Sequence, residues 1–150
     1  MKRFYSLAGV LSISEEEKEL IRKQAQDGDP AACYKLGEIY LQLHECDDYA
    51  SSAHELFLKA SKGGIADADA AIGLTMFRGE IEPYDPIAAA KLIEKAINNR
   101  SAAGVSFQLR NLLYGRYGYK QNIKLVKDTL DVLLSQGDDP YWCAFMGDVL

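Results

Sequence analysis

Two groups of side chains in this 150-residue chain carry chemistry beyond packing. The first is His44-x-Cys46 with His54. Imidazole and thiolate are zinc ligands, and Glu45 and Glu55 could add oxygens. Structural zinc sites pair their ligands tightly, as C-x-x-C or H-x-x-H, and this spacing matches neither. A polar loop followed by a solvated helix start is the plainer reading, so no metal is assigned. The second group lies between Arg100 and Lys127, which holds Arg100, Arg110, Arg116, Lys120, Lys124 and Lys127 and no acid. Inside it runs Tyr114-Gly115-Arg116-Tyr117-Gly118-Tyr119-Lys120. Guanidinium forks grip carboxylates or phosphates, and tyrosines offer rigid contact area. This is binding chemistry, and an acidic protein surface fits it. Single-stranded nucleic acid would also use aromatics beside cations, but a net charge of −5 argues against that partner. The alternative is a solvated basic face whose tyrosines fold over the neighbouring helices.

Bond-making chemistry finds little support. There is no G-x-S-x-G, no phosphate-loop glycine pattern and no H-E-x-x-H. Two histidines leave few members for a nucleophile–base pair, and no local signature supports one. The three cysteines, Cys33, Cys46 and Cys143, are odd in number and fit no disulfide or zinc framework. A reducing, cytoplasmic setting suits them. No catalytic residue and no cofactor is assigned. With 48% hydrophobic and 26% charged residues the chain reads as globular rather than disordered. Charge is uneven along it: residues 1–75 hold 13 acids against 8 bases, and residues 76–150 hold nine of each.

The elements that must position these residues come from an internal repeat. Gly28, Ala32 and Leu36-Gly37 recur as Gly64, Ala68 and Ile72-Gly73, and Ala53 and Ala60 as Ala89 and Ala96, at an offset of 36. Asp29-Pro30, Cys33 and Leu36-Gly37 return near the end as Asp139-Pro140, Cys143 and Met146-Gly147. A period of this size means stacked supersecondary units, none of which buries its apolar face alone. Each unit divides into helix A and helix B. Asp29 and Pro30 open the first helix A, which runs to about Gln42 with Ala32, Leu36, Ile39 and Tyr40 on one face. The first helix B runs from about Asp48 to Lys62, with Ala53, Leu56, Phe57 and Ala60 inward. The second pair spans about Asp67 to Arg78, and then from the Asp85-Pro86 cap with Ala89, Leu92, Ile93 and Ala96 inward. The third is degenerate: helix A covers about Ala102 to Tyr114, Asn122 caps helix B, and Val126, Leu130 and Leu133 form its stripe.

Ser14 and Glu17 form a capping box for a leading helix over 14–27. The organisation expected is therefore an N-terminal segment 1–13 and a helical domain 14–150. Within it lie repeats at about 29–64, 65–100 and 101–138, and a partial fourth at 139–150. Lys2-Arg3 before the apolar run FYSLAGVLSI gives segment 1–13 a signal-like or capping character. Acting as a signal, it would make the chain secreted or periplasmic. No run reaches the ~18 apolar residues of a membrane span. The partial repeat, with Trp142, Phe145, Met146 and Leu150, offers an apolar edge for self-association.

The pattern resembles the Sel-one-like repeat (SLR), a subclass of tetratricopeptide-like helical repeats. The residues that carry the likeness are Ala32, Leu36-Gly37-Glu38-Ile39-Tyr40, Ala53, Phe57, Ala60 and Gly64, then Ala68, Ile72-Gly73, Gly79, Asp85, Ala89 and Lys95-Ala96. Met76 at the tyrosine position, Arg110 at the glycine position and the glycine-free segment Leu43 to Asp47 depart from it. The resemblance implies an all-α, right-handed α-solenoid of antiparallel A–B hairpins. It also implies a non-enzymatic adaptor that binds a protein through a concave groove of A helices. Bacterial scaffolds, and immunity proteins that neutralise a cognate toxin, are among the roles it suggests. Cell-wall-related hydrolysis is a weaker reading without a nucleophile. Groove positions not used in packing include Tyr34, Glu38 and Leu41, then Phe77, then Asn111 and Tyr114. Leu41 and Phe77 could equally pack on adjacent helices. Together with the basic loop, the partner-binding candidates are Tyr34, Glu38, Leu41, Phe77, Arg110, Tyr114, Arg116, Tyr117, Tyr119 and Lys120.

Overall fold

The computed structural model describes residues 2–6, 9–43, 48–79 and 85–137. Its elements are β1 (Lys2–Ser6), β2 (Gly9–Ile13), α1 (Glu15–Gln26), α2 (Pro30–Leu43), α3 (Tyr49–Lys62), α4 (Ala66–Arg78), α5 (Pro86–Asn98), α6 (Ala102–Tyr114) and α7 (Ile123–Ser135). The chain forms two compact units, Met1–Ser106 and Phe107–Leu150. The repeat body is all-α, as its periodicity requires. His44, Glu45 and Cys46 of the metal reading lie outside the described residues, as do Trp142, Cys143 and the partial fourth repeat.

In the first unit the helices pair as antiparallel hairpins, α2 with α3 and α4 with α5. Glycine sets how closely they approach. A Cβ built on Gly37 would lie 2.6 Å from Phe57 Cε1, and one on Gly73 would lie 3.0 Å from the Ala89 carbonyl and from Ile93. The B helices answer with alanines: Ala53, Ala60, Ala89 and Ala96 are all fully buried. Side chains this small let two helix axes close up while Phe57 and Ile93 fill the space between. One contiguous core results, running from Ala25 of α1 through Leu36, Phe57 and Ala60 to Ala68, Ala71 and Ile72.

The backbone repeats with the sequence. Gly28 and Gly64, at the entry to successive A helices, have φ of +88° and +90°. The next position in the period is Arg100, and it holds the same left-handed conformation at φ +65° without being glycine. Polar links tie one hairpin to the next. Asp69, buried on α4, accepts a hydrogen bond from Ser61 Oγ at 2.7 Å and meets Lys95 Nζ at 3.4 Å. Asp67 accepts from Ser101 Oγ and from the Ala103 N–H, while Ser101 Oγ accepts from the Gly104 N–H at 2.9 Å. Ser101 therefore caps α6 and joins it to α4.

The capping box at α1 is present. Ser14 Oγ accepts from the Glu17 N–H at 3.2 Å, and the Glu17 carboxylate accepts from the Ser14 N–H at 3.4 Å. The preceding segment is not helical. β1 and β2 form an antiparallel hairpin in which Phe4 faces Leu11 and Tyr5 faces Val10. The hairpin lies against α2. Its last residue, Ile13, is buried with Ile39, flanked by Ile21 and Leu43.

In the second unit α6 ends and α7 begins around the Tyr-rich loop. Leu109, Val126 and Leu130 are fully buried. Asn122 caps α7 as its position suggests, its Oδ1 accepting from the Leu125 N–H at 3.0 Å. α6 begins 36 residues after α4, so the glycine place falls to Leu109, which is buried, and not to Arg110 as the sequence suggests; Arg110 is exposed.

Candidate functional site

The segment from Tyr114 to Lys120 is held by its own backbone. Gly115 takes φ +65°, which ends α6 in the left-handed manner glycine permits. The Asn111 carbonyl accepts from both the Gly115 and Arg116 N–H groups, at 2.7 and 3.1 Å. The Tyr119 N–H then bonds to the Arg116 carbonyl at 2.9 Å. At the far end, the Asn122 N–H bonds to the Leu112 carbonyl at 2.8 Å, and Gln121 Nε2 donates to the Leu113 carbonyl at 2.9 Å. The loop thus returns to the end of α6 and delivers the start of α7 beside it.

On this frame sit the side chains with binding chemistry. The Arg116 guanidinium lies 4.8 Å from the centre of the Tyr114 ring, a cation–π contact. Tyr117 stacks on Phe107, ring centres 5.9 Å apart at 28°. Its φ is +52°, a conformation that a bulky residue adopts only when its surroundings impose it. Tyr114 is 55% exposed and Tyr117 41%, so neither ring is consumed by packing. Tyr119 is half-buried, and that burial raises its phenol pKa. Arg110, Arg116 and Lys120 are exposed. Of the candidate residues, then, Arg110, Tyr114, Arg116, Tyr117, Tyr119 and Lys120 lie in the second unit, and among them Arg116 and Tyr114 are in contact.

The A-helix candidates of the first unit are placed differently. Glu38 and Phe77 are buried, and Leu41 packs half-buried on the core. Tyr34 donates its O–H to Glu38 Oε1 at 2.8 Å, and its ring tilts against Phe57 at 5.9 Å. Burial, and the negative charge of Glu38 and Asp67 nearby, push the Tyr34 phenol pKa far above its ordinary range. These four residues serve the interior more than the surface. The i,i+4 spacing of Tyr34 and Glu38 was a signal for their pairing. Asn111 is also buried, and its Nδ2 has no partner among the described residues. Sequence reasoning passed over Phe107 and Gln121 as supports of the loop. Phe107 carries no local signature, because its partner ring lies ten residues on across a turn.

A cleft of about 250 Å³ opens between α1, α2 and α3, floored by Ala25, Leu36 and Leu56 and rimmed by Arg22, Glu55 and Lys59. Among the described residues no group of His, Cys, Asp and Glu is gathered for a metal. Likewise, among the described residues no helix is long and apolar enough to cross a membrane.

The stacked hairpins define a helical-repeat fold, all-α apart from the short β1–β2 hairpin. Its fold is similar to that of a protective antigen present in uropathogenic Escherichia coli strains, whose crystal structure displays an SLR fold. The TM-score is 0.59 at 20% sequence identity, and the likeness covers 84% of this chain and 27% of that one. No family model matches the chain, and no curated protein sequence matches it.

Proposed function

We propose that this chain is a non-enzymatic protein–protein interaction module that engages an acidic partner surface through the loop Tyr114–Lys120. The observation that carries this reading is the pairing of exposed, pre-positioned aromatics with cations. Tyr114 and Tyr117 are exposed on a loop fixed by hydrogen bonds at both ends, Arg116 lies over the Tyr114 ring, and Lys120 is exposed on the same loop. A rigid loop loses little conformational entropy on binding, so its contacts convert more fully into affinity. The side faces of α2 and α4 contribute less, since Glu38 and Phe77 are buried. Helical repeats as a class serve as binding scaffolds, which agrees with the lack of any catalytic constellation in the sequence. A reducing compartment suits the buried, free thiol of Cys33.

The test is capture of a partner by the wild type and by Tyr117→Ala/Lys120→Glu, with circular dichroism confirming that both are folded. The variant is expected to lose the partner. Equal recovery by the two proteins removes this surface from the function. Binding to single-stranded nucleic acid with a steep salt dependence would move the reading to that class instead.

A further inference from the structure

We propose that the cleft between α1, α2 and α3 binds a small monocarboxylate with an aliphatic body, its carboxylate held by Lys59. The site lies wholly in the first unit and uses no residue of the Tyr-rich loop. The repeat itself shows what Lys59 is built to meet. Ala25, Cys33 and Lys59 stand 36 residues before Ser61, Asp69 and Lys95. In the later set the Asp69 carboxylate accepts from Ser61 Oγ at 2.7 Å and meets Lys95 Nζ at 3.4 Å. The earlier set keeps the juxtaposition without the carboxylate. Cys33 is fully buried, and its thiol donates to the Ala25 carbonyl at 3.7 Å. Lys59 therefore lacks the acid that its counterpart has, and among the described residues its ammonium has no partner.

The cleft supplies the room for a carboxylate from outside. Ala25 and Lys59, the counterparts of the two residues that hold Asp69, both line it, and its volume is about 250 Å³. Leu36 and Tyr40 reach it from α2 at i,i+4, and Ser52, Leu56 and Lys59 from α3 at i,i+4,i+7, so each helix turns one face inward. Leu36 and Leu56 give a short carbon chain an apolar floor to bury against. A volume below the roughly 300 Å³ at which drug-sized pockets begin holds the ligand to about the size of one residue. The rim sets its charge. Arg22 already meets the Glu19 carboxylate at 3.3 Å, which leaves Lys59 as the cation for the ligand. Glu55, exposed one turn before Lys59, repels a second negative charge, so a monocarboxylate is favoured over a dianion.

The experiment is an NMR titration of the full, isotope-labelled chain with isocaproate, with its neutral amide and with acetate. Isocaproate is expected to shift the backbone signals of Ala25, Leu36 and Lys59 saturably, with half-saturation on the order of 1 mM. The amide is expected to bind about fivefold more weakly, the scale of one exposed ion pair. Acetate, which has no body for the floor, should not saturate over the same range. Lys59→Gln, at an exposed position, is expected to bind acid and amide alike. Cys33→Asp restores the carboxylate of the later repeat, occupies Lys59 from within, and is expected to weaken isocaproate about fivefold. Equal affinity of the wild type for acid and amide overturns the inference, as does a preference that survives in Lys59→Gln or undiminished binding by a folded Cys33→Asp. If Cys33→Asp does not fold, Lys59→Gln decides alone. Saturable shifts confined to Tyr114–Lys120 would assign the acid to the loop and overturn the cleft, while leaving the loop reading intact.

Discussion

The hairpins α2–α3 and α4–α5 and the pair α6–α7 occupy the same places in one period, yet they obey it to different degrees. In the first two, glycine faces the B helix and alanines line the seam, with Phe57 or Ile93 as the one large side chain between. In the third, the glycine becomes Leu109 and the alanine becomes Val126, both buried. The left-handed entry residue changes from Gly64 to Arg100 while keeping its conformation. The difference teaches where the period is a demand of packing and where it is only inheritance. Positions that set helix approach are strict in the regular hairpins. In the last pair those demands relax, and Leu109 and Val126 stand where the regular hairpins have glycine and alanine.

The largest effect should come from the strict seam. Phe57 is fully buried, so Phe57→Ala should cost about 4 kcal/mol in urea unfolding. Gly37→Ala should cost about 2 kcal/mol, because its Cβ would lie 2.6 Å from the Phe57 ring. The two must couple. With the ring gone, the new methyl has room, so the double variant should be less destabilised than the sum of the singles. Simple additivity would mean that the glycine is not there for helix approach. Arg110→Ala, at an exposed position of α6, should shift stability by no more than about 0.5 kcal/mol.

Next in size are the links between hairpins. Asp69→Ala should cost about 2 kcal/mol, since it strips a buried acceptor from Ser61. Lys95, the other partner of Asp69, has a side chain 59% exposed, and Lys95→Ala should cost less than about 0.5 kcal/mol. Lys95 lies on α5, within the hairpin of Asp69, so equal effects from the two would show that Asp69 serves its own hairpin through the ion pair and not the link to Ser61 of the hairpin before.

Tyr34 adds a pH dependence to the first hairpin. Its folded pKa is raised above the ordinary 10.0 by burial and by the carboxylates of Glu38 and Asp67. The folded state therefore keeps a proton that the unfolded state releases. This stability is fully present below the ordinary phenol pKa and falls as pH rises above it. Urea midpoints measured at about pH 9 and about pH 11 should drop more in the wild type than in Tyr34→Phe. Parallel drops would place the alkaline sensitivity on other tyrosines.

Much of this architecture was legible because small residues recur with a packing reason. Ala53 and Ala89, and Gly37 and Gly73, fix both the period and the inward face. The observed α4 at Ala66–Arg78 and α6 at Ala102–Tyr114 lie within a residue of where that period puts them. The β-hairpin was not legible. Its apolar run reads as one hydrophobic stretch, and Gly9 alone is a weak turn signal. The site was legible by composition only. Six cations without an acid single out this stretch as a candidate in any fold, but the stack of Tyr117 on Phe107 depends on a left-handed residue that no side-chain preference announces. The burial of Glu38 and Phe77 was hidden for a related reason. Helical spacing tells which residues share a face, not how far the next helix reaches across it.

Smaller effects than those of the seam should fall on the two left-handed residues, and the two should respond differently. Arg100 keeps a conformation for which the two earlier hairpins use glycine. Arg100→Gly should therefore stabilise the fold by about 1 kcal/mol, read as a raised thermal midpoint. Tyr117 is left-handed as well, but no repeat position predicts it, and its ring covers Phe107. Tyr117→Gly relieves a backbone cost of about 1 kcal/mol and forfeits an aromatic stack of about the same size. Its midpoint should stay near that of the wild type while partner binding is lost. A stability gain at position 117 matching that at position 100 would mean that the stack contributes nothing. A marked loss would mean that Tyr117 is a cover for the interior, and the case for its ring as a binding group would go with it.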